Sequence, residues 1–91
     1  MKIRNLLTDE SKWCKGVDAQ DCNGDEIRYD DPKAHSFCLV GALEVCYRDE
    51  GNIIYAIKDK IRLRIGDITR WNDAPERTFE DVRKLIEELN I

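Results

Sequence analysis

The sequence predicts a mainly α fold, with about four short helices around one core and a small β-hairpin near residues 17–29. Three observations lead there. Phe79, Val82, Leu85, Ile86 and Leu89 form one apolar stripe at helical spacing near the C-terminus. The run Phe37-Cys38-Leu39-Val40-Gly41-Ala42-Leu43, followed by Val45-Cys46, is apolar around nearly a whole helix circumference. Asn23-Gly24 suits a tight turn with positive φ, and Ile27 and Tyr29 after it alternate with polar residues as a strand does. A chain of 91 residues has room for a single core, so residues 1–91 read as one small globular domain.

Taken in order, Ile3, Leu6 and Leu7 recur at helical spacing, which predicts a first short helix over residues 2–12 with Trp13 closing its apolar side. Gly16 ends that element, and the hairpin follows. Asp31-Pro32 has the residues of a helix start, because Asp caps free N–H groups and Pro at the first position forfeits no hydrogen bond. A second, central helix is expected over about residues 33–48, where Gly41 and Ala42 would let a neighbour approach closely. Residues 53–65 carry both patterns: Ile53, Ile57, Ile61 and Ile65 fit a helical face, while Lys60 to Ile65 also alternate like an edge strand. Helix is preferred, with Asn52 as its N-cap and Gly66 at its C-terminus. Thr78 and Asp81 then resemble a capping box, with Asp in place of Glu, at the start of the final helix.

Composition bounds the function. The chain is 42% hydrophobic and 37% charged, with two Pro and five Gly, which is ordinary for a folded protein. Met1 to Arg4 lead directly into a polar segment without an apolar stretch of signal length, and no window approaches the about 20 residues of a membrane span. A cytoplasmic protein with no membrane partner is the expectation. Of the net charge of −4, the excess lies at the front: residues 1–52 hold 7 basic and 11 acidic residues, against 8 and 8 in residues 53–91. An acidic chain repels phosphate backbones, which counts against nucleic acid as a partner. The one candidate stripe, Lys58, Lys60, Arg62, Arg64 and Arg70 in the 58–70 segment, spreads around a helix and would share one face only on a strand.

Three segments carry a resemblance: Trp13-Cys14-Lys15-Gly16, Cys38-Leu39-Val40-Gly41-Ala42-Leu43 and Trp71-Asn72-Asp73-Ala74-Pro75-Glu76-Arg77-Thr78. With them the chain resembles a family of small uncharacterised bacterial and phage proteins, a domain of unknown function. The resemblance implies a helical fold, a cytosolic setting and a link to phages or plasmids. It assigns no catalytic residue.

The chemistry-bearing residues are weighed against plainer roles. Cys14, Cys22, Cys38 and Cys46 include no Cys-x-x-Cys pair, and Cys38 and Cys46 would stand about 12 Å apart along one helix, too far to share an ion. Free thiols, no metal and no cofactor are expected in a reducing compartment. His35 and Cys38 are three apart and could act as base and nucleophile on one helix, yet Cys38 opens the most apolar stretch of the chain, where a thiolate is disfavoured. Asp21, Asn23 and Asp25 open like a calcium loop, but Glu26 stands where that loop needs Gly and Pro32 where it needs Glu. In the segment Trp71 to Thr78, Trp71 anchors, Asn72 and Pro75 shape and Thr78 caps, while Asp73 and Arg77 either pair with each other or face outward as a charged recognition site; Asn72, Asp73 and Arg77 are the candidate partner-binding residues. The function remains unknown from sequence. The reading best supported is a non-enzymatic protein-interaction module with an unidentified protein partner and no catalytic residues. The alternatives are a small cysteine-dependent enzyme and a nucleic-acid binder using residues 58–70.

Overall fold

A computed structural model describes all 91 residues. Its helices are α1 (Leu39–Tyr47), α2 (Asn52–Ile65), α3 (Ile68–Asp73) and α4 (Phe79–Leu89), and β1 (Ala19–Gln20) pairs antiparallel with β2 (Ser36–Phe37) in a small sheet. The mainly helical reading with a small antiparallel element holds. Leu39, Ala42, Leu43, Cys46 and Tyr47 of α1 are all buried, as a helix apolar around most of its circumference requires, and α2 and α3 pack against it. From α2 come Ile54 and Ile61, from α3 Ile68, and from α4 Val82, Leu85, Ile86 and Leu89, all joined in one cluster of 17 buried residues.

Helix α4 is as its sequence spells it. Thr78 Oγ1 accepts from Asp81 N–H at 3.3 Å while Asp81 Oδ2 accepts from Thr78 N–H at 3.0 Å, so the capping box closes with Asp as well as with Glu. After Asn90, in the left-handed conformation at φ 54°, Ile91 turns back into the core. Its carbonyl accepts from Ile3 N–H at 2.6 Å and Tyr47 Oη at 3.1 Å, tying both chain ends to α1. Helix α2 settles the ambiguous segment as helix, shifted by one residue so that Gly51 occupies the cap position and Asn52 the first turn.

Three local expectations are corrected, and one helix is added. Residues 2–12 form two separate 3-10 turns, Ile3–Asn5 and Glu10–Lys12, because the Asp9 carboxylate captures Ser11 N–H and hydroxyl and starts a fresh turn there. The central helix begins at Leu39 rather than near residue 33, since Asp31-Pro32 opens only a single turn. There Asp31 Oδ1 accepts from Lys33 N–H at 2.8 Å, after which the backbone of His35 donates to Gln20 and β2 joins the sheet. Near residues 17–29 the chain does reverse at Asn23-Gly24, but only Gly24 has positive φ, so the loop has three residues and the pairing is a single bridge, Gln20 with Glu26. The ladder partner of β1 is instead β2. Helix α3, capped by Asp67 accepting from Arg70 N–H at 2.8 Å, occupies residues that the sequence gives as a turn.

Gly41 shows why the front of the chain lies where it does. Its neighbour is not another helix but the backbone of Asp18, whose carbonyl oxygen accepts from Cys38 N–H at 3.1 Å and would stand 2.1 Å from any Cβ at position 41. No rotamer change relieves a clash with backbone. Gly41→Ala should therefore destabilise the protein by about 3 kcal/mol or more, at or beyond the upper end of ordinary overpacking, as read by urea unfolding. Truncation after Glu80 removes Val82, Leu85, Ile86, Leu89 and Ile91 from the core and should abolish the cooperative thermal transition.

Candidate functional site

The segment from Trp71 to Thr78 starts inside α3, and that placement decides what each side chain can do. The last turn of the helix aims Asn72 inward, where it is fully buried. Its Oδ1 accepts from Trp13 Nε1 at 2.7 Å and from Leu39 N–H at 3.1 Å, and its Nδ2 donates to the Cys14 carbonyl at 3.1 Å and to Asp73 Oδ1 at 2.9 Å. One amide thus fills its bonding capacity and satisfies one of the free N–H groups at the start of α1. Asp73 Oδ1 also accepts from Gly16 N–H at 3.0 Å, and Lys15 Nζ donates to the Ala74 carbonyl at 2.7 Å. Residues 13–16 are laced side by side onto residues 72–74.

Arg77 does not pair with Asp73. Its backbone N–H closes a turn onto Ala74, its Nε donates to the Trp71 carbonyl at 2.9 Å, and its guanidinium lies over the Trp71 ring, 4.0 Å from the centroid. Nη1 faces Asp81 Oδ2 at 3.8 Å, and the side chain stays 20% exposed. Beside it a groove of about 200 Å³ runs between α2, α3 and α4, lined by the apolar Ile65, Trp71 and Leu85 and by Arg77, Lys84 and Asp81, among others. On the other side of the segment, Asp73 borders a shallow surface hollow with Asp67, Arg70 and Pro75. Of the three candidate partner-binding residues, Arg77 borders this groove, Asp73 borders the hollow, and Asn72 lies in the interior.

All three segments that carried the resemblance meet here: Trp13-Cys14-Lys15-Gly16 and the start of α1 both bond to Asn72 and its neighbours. The family model DUF6197, a family of unknown function, matches residues 1–89. The chain belongs to that family. No match was found among curated proteins or among solved structures. For this member of DUF6197, function therefore has to be read from the residues themselves.

The cysteine reading finds no assembled machinery. Cys38 caps α1, its Sγ accepting from Gly41 N–H at 3.4 Å with Asp18 Oδ1 3.9 Å away, and burial pushes its thiol up to about 11, away from the thiolate a nucleophile needs. His35 precedes β2, off the helix that was to align it with Cys38, and no hydrogen bond joins the two. Burial likewise raises Cys14, and takes Cys46 to about 11. All four thiols are free, with only Cys22 exposed, and no three His, Cys, Asp or Glu side chains stand grouped as metal ligands. In the calcium-like loop, Asp21 Oδ1 accepts from Asn23 N–H and Asp25 N–H at 2.9 and 3.0 Å, which closes the turn.

The basic stripe lies on helix and is largely committed. Lys58 pairs with Glu44 at 3.1 Å, Lys60 donates to the Leu89 carbonyl at 2.8 Å, Arg62 faces Asp59 at 3.6 Å and Arg64 pairs with Glu88. What sequence reasoning missed is Lys84 at the groove. A lysine on the exposed face of a helix gives no local signal, and only the tertiary arrangement of α2, α3 and α4 puts it in one groove with Trp71.

Two expectations follow. Asn72→Ala would leave Trp13 Nε1, Leu39 N–H and the Cys14 carbonyl without their partner, so it should cost about 3 kcal/mol or more in chemical denaturation, well above the roughly 1 kcal/mol of Thr78→Ala. A thiol-specific reagent near neutral pH should titrate Cys22 alone in the folded protein and all four cysteines after denaturation. Because burial raises the folded-state values, its stabilising effect on the neutral thiols is fully present below the ordinary value of 9.0. It is lost as pH climbs from there to about 11, which a pH series of unfolding midpoints would register.

Proposed function

We propose that this protein is a non-enzymatic interaction module of the cytoplasm that binds a protein partner through the surface of the Trp71 to Thr78 segment, in keeping with the phage or plasmid link implied by its sequence motifs. The observation that carries this reading is Arg77 stacked on Trp71 beside the groove between α2, α3 and α4. A guanidinium held over an aromatic ring and bonded through Nε to a carbonyl is fixed before binding, so little side-chain entropy is lost when a partner meets it. Nη2 of Arg77 has no hydrogen-bonding or ionic partner within the chain. Asn72 and Asp73 act as positioning residues: the first anchors the end of α3, and the second joins it to Gly16.

The test is affinity capture from the native host with purified protein, comparing wild type with Arg77→Gln and with Arg77→Lys. Both variants forfeit the guanidinium stack, and each is first shown to be folded by its thermal transition. A specific partner retained by wild type should be lost by Arg77→Gln, and largely by Arg77→Lys, which keeps the charge but not the planar fork. A partner held equally by folded Arg77→Gln would refute the assignment of this surface.

A further inference from the structure

We infer that the groove beside Trp71 is a binding site for an apolar carboxylate, of the kind presented by a peptide chain that ends in an aliphatic residue. The inference rests on the interaction reading above and gives its ligand chemistry. Three features of one small groove point to it. Its volume of about 200 Å³ is well below the roughly 300 Å³ at which drug-sized pockets begin, and suits about one side chain rather than a helix or a strand. Ile65, Trp71 and Leu85 supply apolar surface for that side chain.

The third feature is a pair of cationic donors without partners. Both acids of the groove are engaged by the protein, Asp81 by the backbone N–H of Thr78 at 3.0 Å and by Nη1 of Arg77 at 3.8 Å, and Glu88 by Arg64. Two cationic donors are left over: Nζ of Lys84, which makes no hydrogen bond or ion pair within the chain, and Nη2 of Arg77. A carboxylate next to an apolar group satisfies both while covering the apolar lining, which an inorganic phosphate does not do and an amide does without the charge. The Trp71 carbonyl holds Nε and Asp81 faces Nη1, so that Nη2 is the guanidinium nitrogen left to a ligand.

The test uses the full chain labelled with nitrogen-15 and the model peptide N-acetyl-Gly-Gly-Leu with a free C-terminus, set against the same peptide as its C-terminal amide and against inorganic phosphate. The protein has two indole N–H signals, and that of Trp13 is bonded to Asn72 in the interior, so it serves as the internal reference. The free acid should shift the Trp71 signal saturably and leave Trp13 in place. The amide should bind at least about tenfold more weakly, the loss expected when a charge-assisted pair is removed. Lys84→Gln, an exposed change that leaves the fold intact, should weaken the acid and not the amide. The inference is overturned if the acid gives no saturable shift of Trp71, if amide or phosphate matches it, or if Lys84→Gln binds the acid unchanged. Should it fail while Arg77→Gln still loses its captured partner, the interaction surface stands and only its ligand chemistry is wrong.

Discussion

The side chain of Asn72 is the constraint on which the arrangement of this protein depends. A buried amide with two donor hydrogens and two acceptor lone pairs is costly unless all are met, and here they are met by groups from four places: Trp13, Cys14, the first turn of α1, and Asp73. The stretch between Leu7 and β1 has no regular structure beyond one 3-10 turn, and Cys14 is its one buried residue. Hydrogen bonds to α3, supported by Lys15 on Ala74 and Gly16 on Asp73, are what hold it against the helices. A set of bonds this complete is worth more to specificity than to net stability, because each exchanges a bond to water, whereas leaving any member unmade is expensive.

That junction couples the N-terminal third of the chain to the candidate groove. Trp13 and Cys14 fix Asn72, and the next turn places Trp71 and Asp73 on either side of it. Arg77 then folds back onto Trp71. The orientation of the guanidinium is thus set by contacts that begin about sixty residues earlier, at Trp13, whose separation from Asn72 is 59 positions. The same packing accounts for Cys38. A thiol serves as helix cap because the space above α1 is filled by the Asp18 backbone, and the burial that makes the position snug also raises its pKa and quiets its chemistry.

Charge follows a similar logic. The four basic residues of α2 that step by two could not line one side of a helix, and each has found a local acid or carbonyl on α1, α4 or α2 itself. The exposed pairs, Arg62 with Asp59 and Arg64 with Glu88, contribute little stability, but all four interactions tie down positive charge. In the groove between α2, α3 and α4, Nζ of Lys84 and Nη2 of Arg77 have no such partner.

The sequence by itself determined the elements whose signals are local. The α4 stripe and its capping box, the apolar α1, the helical choice for α2 and the reversal at Asn23-Gly24 all rest on side chains within a few positions of one another. The tertiary structure decided the rest. Asp31-Pro32 carries the residues of a helix start, yet residues 35–37 were claimed by the backbone of Gln20 and Ala19, so the helix begins at Leu39 with Cys38 as its cap. Residues 2–12 have helical spacing, but short helices are marginal in water, and Asp9 offered the backbone a competing partner. Asn72 and Asp73 are polar and sit in a segment read as a turn, which made them candidates for a surface. Which way a polar side chain faces depends on whether distant groups complete its hydrogen bonds, and Trp13, Cys14, Gly16 and Leu39 are known to be there only once the chain has folded.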